Sequence, residues 1–216
     1  MKVQYIDHMG DDLSVVNSAR VSFGKKSDYM PRVHMGEAKV LQHKDENLIK
    51  YLAKHNHKSP FNHAFATFHV KAPIFVARQL QKHEYMPWNE ISRRYVDSEP
   101  EFYEPKEWRG RSADKKQGSE GVVEVLHDVK HLSNMMANLY GDLVEEGVAP
   151  EQARMVLPQS MYTEWYWSGT LYAFAKMCSL RLKEDTQEET RMIATLIYRD
   201  MLTMFPVSWK ALMENL

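Results

Sequence analysis

The sequence predicts a mixed α and β chain folded as one domain. Three observations carry that reading. The segment HAFATFHVK alternates apolar and polar residues, several longer segments repeat apolar residues at three- and four-residue spacing, and 216 residues suffice for one ordinary domain or at most two small lobes. Gly-x-Gly pairs are absent, so neither the dinucleotide fingerprint of doubly wound folds nor a phosphate loop is present.

In chain order, Val3 to Asp7 reads as a short strand, and Ser14 to Phe23 as a helix capped by Ser14. Lys44 to His55 forms a second helix with Leu48, Ile49 and Leu52 on one stripe. Ala64 to Lys71 is a strand whose Ala64, Ala66, Phe68 and Val70 share one face. Pro73 to Glu84 reads as a helix with Pro in its first turn and an apolar start, Ile74 to Ala77. Pro87 breaks the pattern, and Asn89 to Tyr95 reads as extended. Lys106 to Gly121, rich in charge, Gly and Ser, is expected to be an exposed loop. Val122 to Glu146 keeps helical rhythm through Val122, Leu126, Val129, Leu132, Met136, Leu139 and Leu143. Gln152 to Val156 is a short helix between Pro150 and Pro158, and Met161 to Ser168 is extended. Leu171 to Leu182 and Thr186 to Met204 are helices, the last stopped by Pro206.

A net charge of −1 gives no global field toward nucleic acid or membrane, and no apolar run approaches a membrane span. The start of the chain lacks a secretory pattern, and a single Cys excludes an internal disulfide, so a cytoplasmic location is expected.

The stretch QLQKHEYMPWNEISRRY, Gln79 to Tyr95, concentrates the chemistry. Helical spacing puts Gln79, Lys82 and His83 on one face, and alternation puts Glu90, Ser92 and Arg94 on another. An acceptor, a hydroxyl and a cationic fork suit a ligand carrying an anion and a hydrogen-bonding ring. Arg20, Arg94, Arg154 and Arg181 stand outside charge runs, although a typical Arg simply lays its stem over the core. His55, His57 and His63 cluster, and His127 and His131 have metal-ligand spacing. The cluster lacks a carboxylate or Cys partner and includes Lys58; the helical pair lies off the apolar stripe. No metal is expected. Cys178 lies late in the apolar run AFAKMCSL, where burial raises a thiol's pKa and denies it nucleophilic use.

The same stretch resembles the signature of the flavin-dependent thymidylate synthases, in which Arg-His-Arg is followed after seven residues by Ser; here Lys82, His83 and Glu84 precede Ser92 at that spacing. Ser59 to Gln79, Ala153 to Trp167, Leu180 to Arg191 and Leu13 to Phe23 are similar to further blocks of that family, so the resemblance covers most of residues 10 to 205. It implies an α+β fold, a single domain with a central, mostly antiparallel sheet flanked by helices. It implies reductive methylation of dUMP to dTMP, with 5,10-methylenetetrahydrofolate as carbon donor and NADPH-reduced FAD as hydride donor. It also implies a homotetramer whose sites are shared between subunits.

By that resemblance Gln79, Glu90, Ser92, Arg93, Arg94, Arg154 and Arg181 contact dUMP, and Arg181 has the catalytic task of stabilising charge on the uracil ring. Ser59, Lys82, His83, Glu84, Glu90, Thr170, Tyr172 and Lys176 face FAD, while Arg20 is structural. Lys82 and Glu84 replace arginines, Asn62 an acidic residue, and Thr170 and Asp185 an Asn and a His. Two alternatives stand beside this reading: a non-catalytic pyrimidine-nucleotide binder, and a metal-dependent hydrolase using His55, His57 and His63.

Overall fold

The computed structural model describes residues 1–30, 40–96, 98–113 and 118–216. Its centre is a four-stranded sheet in the order β1-β2-β6-β3, built from β1 (Lys2–Met9), β2 (Phe65–Pro73), β6 (Tyr162–Thr170) and β3 (Trp88–Glu90). Every pairing in it is antiparallel. Helices α1 (Asp12–Arg20), α2 (His43–Lys54), α6 (Leu171–Arg181), α7 (Glu188–Met204) and α8 (Pro206–Met213) flank it. The α+β expectation holds.

Alternation along β2 decides which face is covered. Ala66, Phe68, Val70 and Ala72 are fully buried, whereas Phe65, Thr67, His69 and Lys71 are only partly covered. On β6 the same rhythm buries Trp165 and Trp167, and Phe68 and Trp167 both meet Phe174 of α6 edge-on. Burying aromatic rings of this size contributes on the order of 2–3 kcal/mol each.

The first helix starts one turn earlier than expected. Asp11 is its cap, its side chain accepting from the Ser14 amide at 2.9 Å, and the Ser14 hydroxyl answers by accepting from the Asp11 amide at 3.1 Å. Ser14 thus sits third in a capping box. The expected stretch to Phe23 closes as a 3-10 turn, Val21–Phe23. Arg20 is structural: its Nε donates to Asp45 of α2 at 3.0 Å, its Nη2 to the same oxygen, and Ser27 Oγ adds a bond at 2.9 Å. Asp45 is fully buried, so removing the guanidinium would leave a buried charge unpaired.

Three sequence expectations change in the second half. The loop expected over Lys106 to Gly121 holds a hairpin, β4 (Trp108–Arg111) and β5 (Ser119–Val123), although residues 114–117 lie outside the described residues. Helix α4 spans Val129–Glu145, because Val122 and Val123 pair with β4 and Asp128 caps the helix by accepting from the His131 amide. The Gln152 to Val156 helix is α5 (Pro150–Ala153) continued by a 3-10 turn, Arg154–Val156. Pro206 ends α7 but opens α8 at its first position. Asp12 caps α8 from across the fold, its carboxylate accepting from the amides of Val207 and Ser208 at 2.9 and 2.8 Å. Burial raises its pKa against those bonds.

Candidate active site

Helix α3 (Ile74–Leu80) begins directly off β2, with Pro73 as its extended entry residue. It is shorter than the sequence suggests. The His83 amide closes on the Leu80 carbonyl at 3.1 Å, and Tyr85 takes a left-handed φ of +60° that turns the chain into β3. Such a φ is costly for a bulky residue and marks an imposed turn. Lys82, His83 and Glu84 therefore occupy the turn after α3 and do not share a helical face with Gln79.

The last residue of α6, Arg181, reaches this turn. Its Nε donates to His83 Nε2 at 3.0 Å and its Nη2 to the Gln79 carbonyl at 3.0 Å. Burial first, then the charges of Arg181 and Lys176, push the His83 pKa down to about 4, so the ring is neutral at physiological pH. Partial burial also lowers the Arg181 pKa, though a guanidinium stays charged.

These residues open onto a cavity of about 710 Å³. Lys82, His83, Glu84, Thr170, Tyr172, Lys176 and Arg181, seven residues expected to serve flavin or nucleotide, line it together. Sequence reading did not assign the remaining polar wall, Lys58 and Asn62. Lysines 58, 82 and 176 with Arg181 face one carboxylate, Glu84. That excess of cations fits a ligand with two phosphates, and the Tyr172 ring, with Lys58 Nζ 5.5 Å from its centre, offers a flat apolar surface. The donor set suits a flavin dinucleotide. Thr170 has local duties: its hydroxyl donates to Asn62 Oδ1 at 2.8 Å and accepts from the Ala173 amide at 3.1 Å, capping α6.

Other expected residues lie elsewhere on the chain. Glu90, Arg93 and Arg154 line a separate cavity of about 480 Å³. Glu90 is held there by Thr163 Oγ1 at 2.7 Å and Trp88 Nε1 at 3.0 Å. Strand β3 stops at Glu90 and residues 93–95 form a turn, so Glu90, Ser92 and Arg94 do not alternate along one strand. Instead Ser92 Oγ accepts from the Arg94 amide and Nε at 3.3 and 3.4 Å. Ser59 lines a third cavity, beside Arg20, Tyr51 and His57.

The rings of His55 and His57 pack against Tyr51 at 4.3 and 6.0 Å. Among the described residues no three His, Cys, Asp or Glu side chains converge as metal ligands, so the hydrolase reading finds no ligand set there. Cys178 is fully buried beside α7, its Sγ 3.6 Å from the Ala194 carbonyl, and burial raises its pKa far above neutrality.

The family model described as Thymidylate synthase complementing protein (Thy1) matches residues 4–207. The chain belongs to this family. Among relatives, a flavin-dependent thymidylate synthase of Thermus thermophilus is 40% identical over 99% of this chain and 76% of that protein. One of Thermotoga neapolitana is 36% identical over 98% and 90%. A solved structure of the UMP/dUMP methylase PolB from Streptomyces cacaoi, bound with 5-Br dUMP, superposes with a TM-score of 0.83 at 29% identity, over 97% of this chain and 93% of that one. The Thy1 match covers β2, β3, β6, β1 from Gln4 onward, and every residue of the three cavities.

Proposed function

We propose that this chain is a flavin-dependent thymidylate synthase converting dUMP to dTMP. The observation that carries the reading is Arg181, fixed between the neutral His83 ring and the Gln79 carbonyl at the rim of a cation-lined cavity. A guanidinium held this way is preorganised to stabilise negative charge developing on a uracil ring, the kind of placement that supplies much of an enzyme's rate. With no accessible thiol, the ring must be activated by charge and orientation. FAD, reduced by NADPH, supplies the hydride, and 5,10-methylenetetrahydrofolate supplies the carbon.

On this reading Lys82, His83, Glu84, Tyr172 and Lys176 hold the flavin, with Thr170 shaping the wall. Gln79, Arg181, Glu90, Ser92, Arg93, Arg94 and Arg154 hold the nucleotide. On one chain that second set is divided: Arg181 lines one cavity, Glu90, Arg93 and Arg154 line another, and Gln79, Ser92 and Arg94 line neither. A homotetramer in which one copy's Arg154 group completes another's Arg181 group unites them, which also accounts for Glu90 serving both ligands.

Purified protein tests the reading directly. It should be yellow with a flavin absorbance, and should form dTMP from dUMP only when both NADPH and the folate are present. A colourless protein that binds dUMP without turnover supports the non-catalytic binder instead.

A further inference from the structure

Helix α4 carries an apolar stripe that its own chain leaves uncovered. Ser133 and Tyr140 are its buried residues and mark the face turned inward, where it packs chiefly against α5 and the 3-10 turn that holds Arg154. Val129, Leu132, Met136, Leu139 and Leu143 recur at alternating three- and four-residue steps, the spacing of a seam between paired helices, and Met135 widens it. Leu132 and Leu139 lie roughly 100° round the helix from the two buried residues. Leu132, Met135 and Leu139 are 50%, 47% and 40% exposed, where a helix facing solvent turns polar residues outward.

The elements next to α4 add to this surface. Leu126, in the segment entering the helix, is 91% exposed, and Met155, in the adjoining 3-10 turn, is 79% exposed. Met155 also lines the cavity that contains Arg154, the one the proposed function completes with a second chain.

The charges along α4 identify what covers the stripe. After the capping Asp128, the first turn holds Lys130 and His131 and no acid. The last turn holds Asp142 and Glu145, with Glu146 as the C-cap residue, and no base. That order opposes the helix dipole, which favours anions at the N-terminus and cations at the C-terminus. A lone helix gains nothing from it. A second α4 laid antiparallel sets each acidic end beside the other's Lys130 and positive N-terminus, and a two-fold axis makes the gain twice. A parallel partner would set acid against acid.

We propose that α4 is the seam between two copies of this chain, the two helices lying antiparallel about a two-fold axis near Met136. The proposed function requires a second copy and names no surface for it; this inference names the surface and stands whatever the substrate.

The test is the mass of the purified protein by sedimentation, parent against Leu139→Glu, with folding checked by circular dichroism. Leu139 is exposed, so a charge there costs its own chain little. The parent should be a dimer or a larger assembly, and Leu139→Glu should have half that mass or less. An unchanged mass in folded Leu139→Glu overturns the inference and leaves site sharing through another surface standing. Oxidative cross-linking reads the orientation, since the native Cys178 is buried and silent. Met136→Cys should give a covalent dimer. Leu132→Cys alone should not, because Leu143 faces it across an antiparallel seam, whereas Leu132→Cys combined with Leu143→Cys should. A covalent dimer from Leu132→Cys alone, or none from Met136→Cys, overturns the inference even should Leu139→Glu not fold. A monomeric parent overturns the inference and the sharing of sites together.

Discussion

Arg181 Nε lies 3.0 Å from His83 Nε2, and that contact fixes which state each side chain holds. A guanidinium has only donors, so the facing imidazole nitrogen must be an acceptor and the ring neutral. Burial and the nearby charges of Arg181 and Lys176 act in the same sense, taking the His83 pKa from its usual 6.5 to about 4. The two side chains form a fixed unit.

That unit has a pH consequence with a definite sign. In the unfolded chain His83 takes up a proton near pH 6.5, while in the folded protein it does so only near pH 4. Between those values the unfolded state binds the extra proton, so stability falls as pH drops through this window. Above pH 6.5 the contribution is complete and pH-independent. His83→Gln keeps an acceptor for Arg181 but cannot titrate, so its urea unfolding free energy should fall less between pH 7 and pH 5 than the parent's. Equal losses in the two proteins would show that His83 is not the group responsible.

Replacing Lys82 and Glu84 together by Arg should tighten flavin binding. Both side chains are exposed at the rim of the cation-lined cavity, and Glu84 is the one carboxylate among its lining residues. Solvent-exposed charges contribute modestly, so the dissociation constant should fall by roughly fivefold or less, and less still at high salt. Fluorescence titration of the apoprotein measures it. Weaker binding would mean that Glu84 makes a favourable contact of its own with the cofactor.

Strand β2 was legible because alternation is local. Ala64, Ala66, Phe68 and Val70 are all fully buried, and the strand around them sits where the pattern put it. The start of α4 was not, because Val122 continues the helical rhythm by accident while pairing as a strand with Arg109. Nor was α8, whose cap, Asp12, is 196 residues away from one of the amides it holds. For the candidate site, residues could be singled out along the sequence, but their placement could not. Lys82 to Arg93 is contiguous in sequence, but beyond the left-handed turn at Tyr85 the chain leaves the cavity lined by Lys82, His83 and Glu84 and brings Glu90 and Arg93 to another. Gln187 and Thr190 carried no local signal, since their hydrogen bonds to Gln79 span 108 and 111 residues of chain.

If sites are shared between copies, two dead variants should rescue each other. Arg154→Ala removes a cation from one cavity and Arg181→Ala from the other, and each alone should lose on the order of a hundredfold or more in turnover. When the two are unfolded and reassembled together, a random mixture gives about a quarter of its sites both native arginines, so about a quarter of parent activity should return. No recovery, in a mixture shown by mass spectrometry to contain mixed oligomers, would place both arginines in one chain's site.

Cys178 separates the two chemistries that make thymidylate. A thiolate route cannot survive loss of the chain's single thiol, whereas a hydride route should register only a change in packing. The Sγ is fully buried beside Ala194, so Cys178→Ala leaves a small cavity and costs about 1 kcal/mol of stability. Turnover of dUMP with NADPH and the folate should stay within about twofold of the parent at a temperature where circular dichroism shows the variant folded, since a loss of this size leaves a typical domain native. The parent should likewise resist thiol reagents in the native state, because burial raises the pKa of Cys178 and shields it from attack. A folded but inactive alanine variant, or a parent that forms dTMP without any reductant, would overturn the flavin-dependent route.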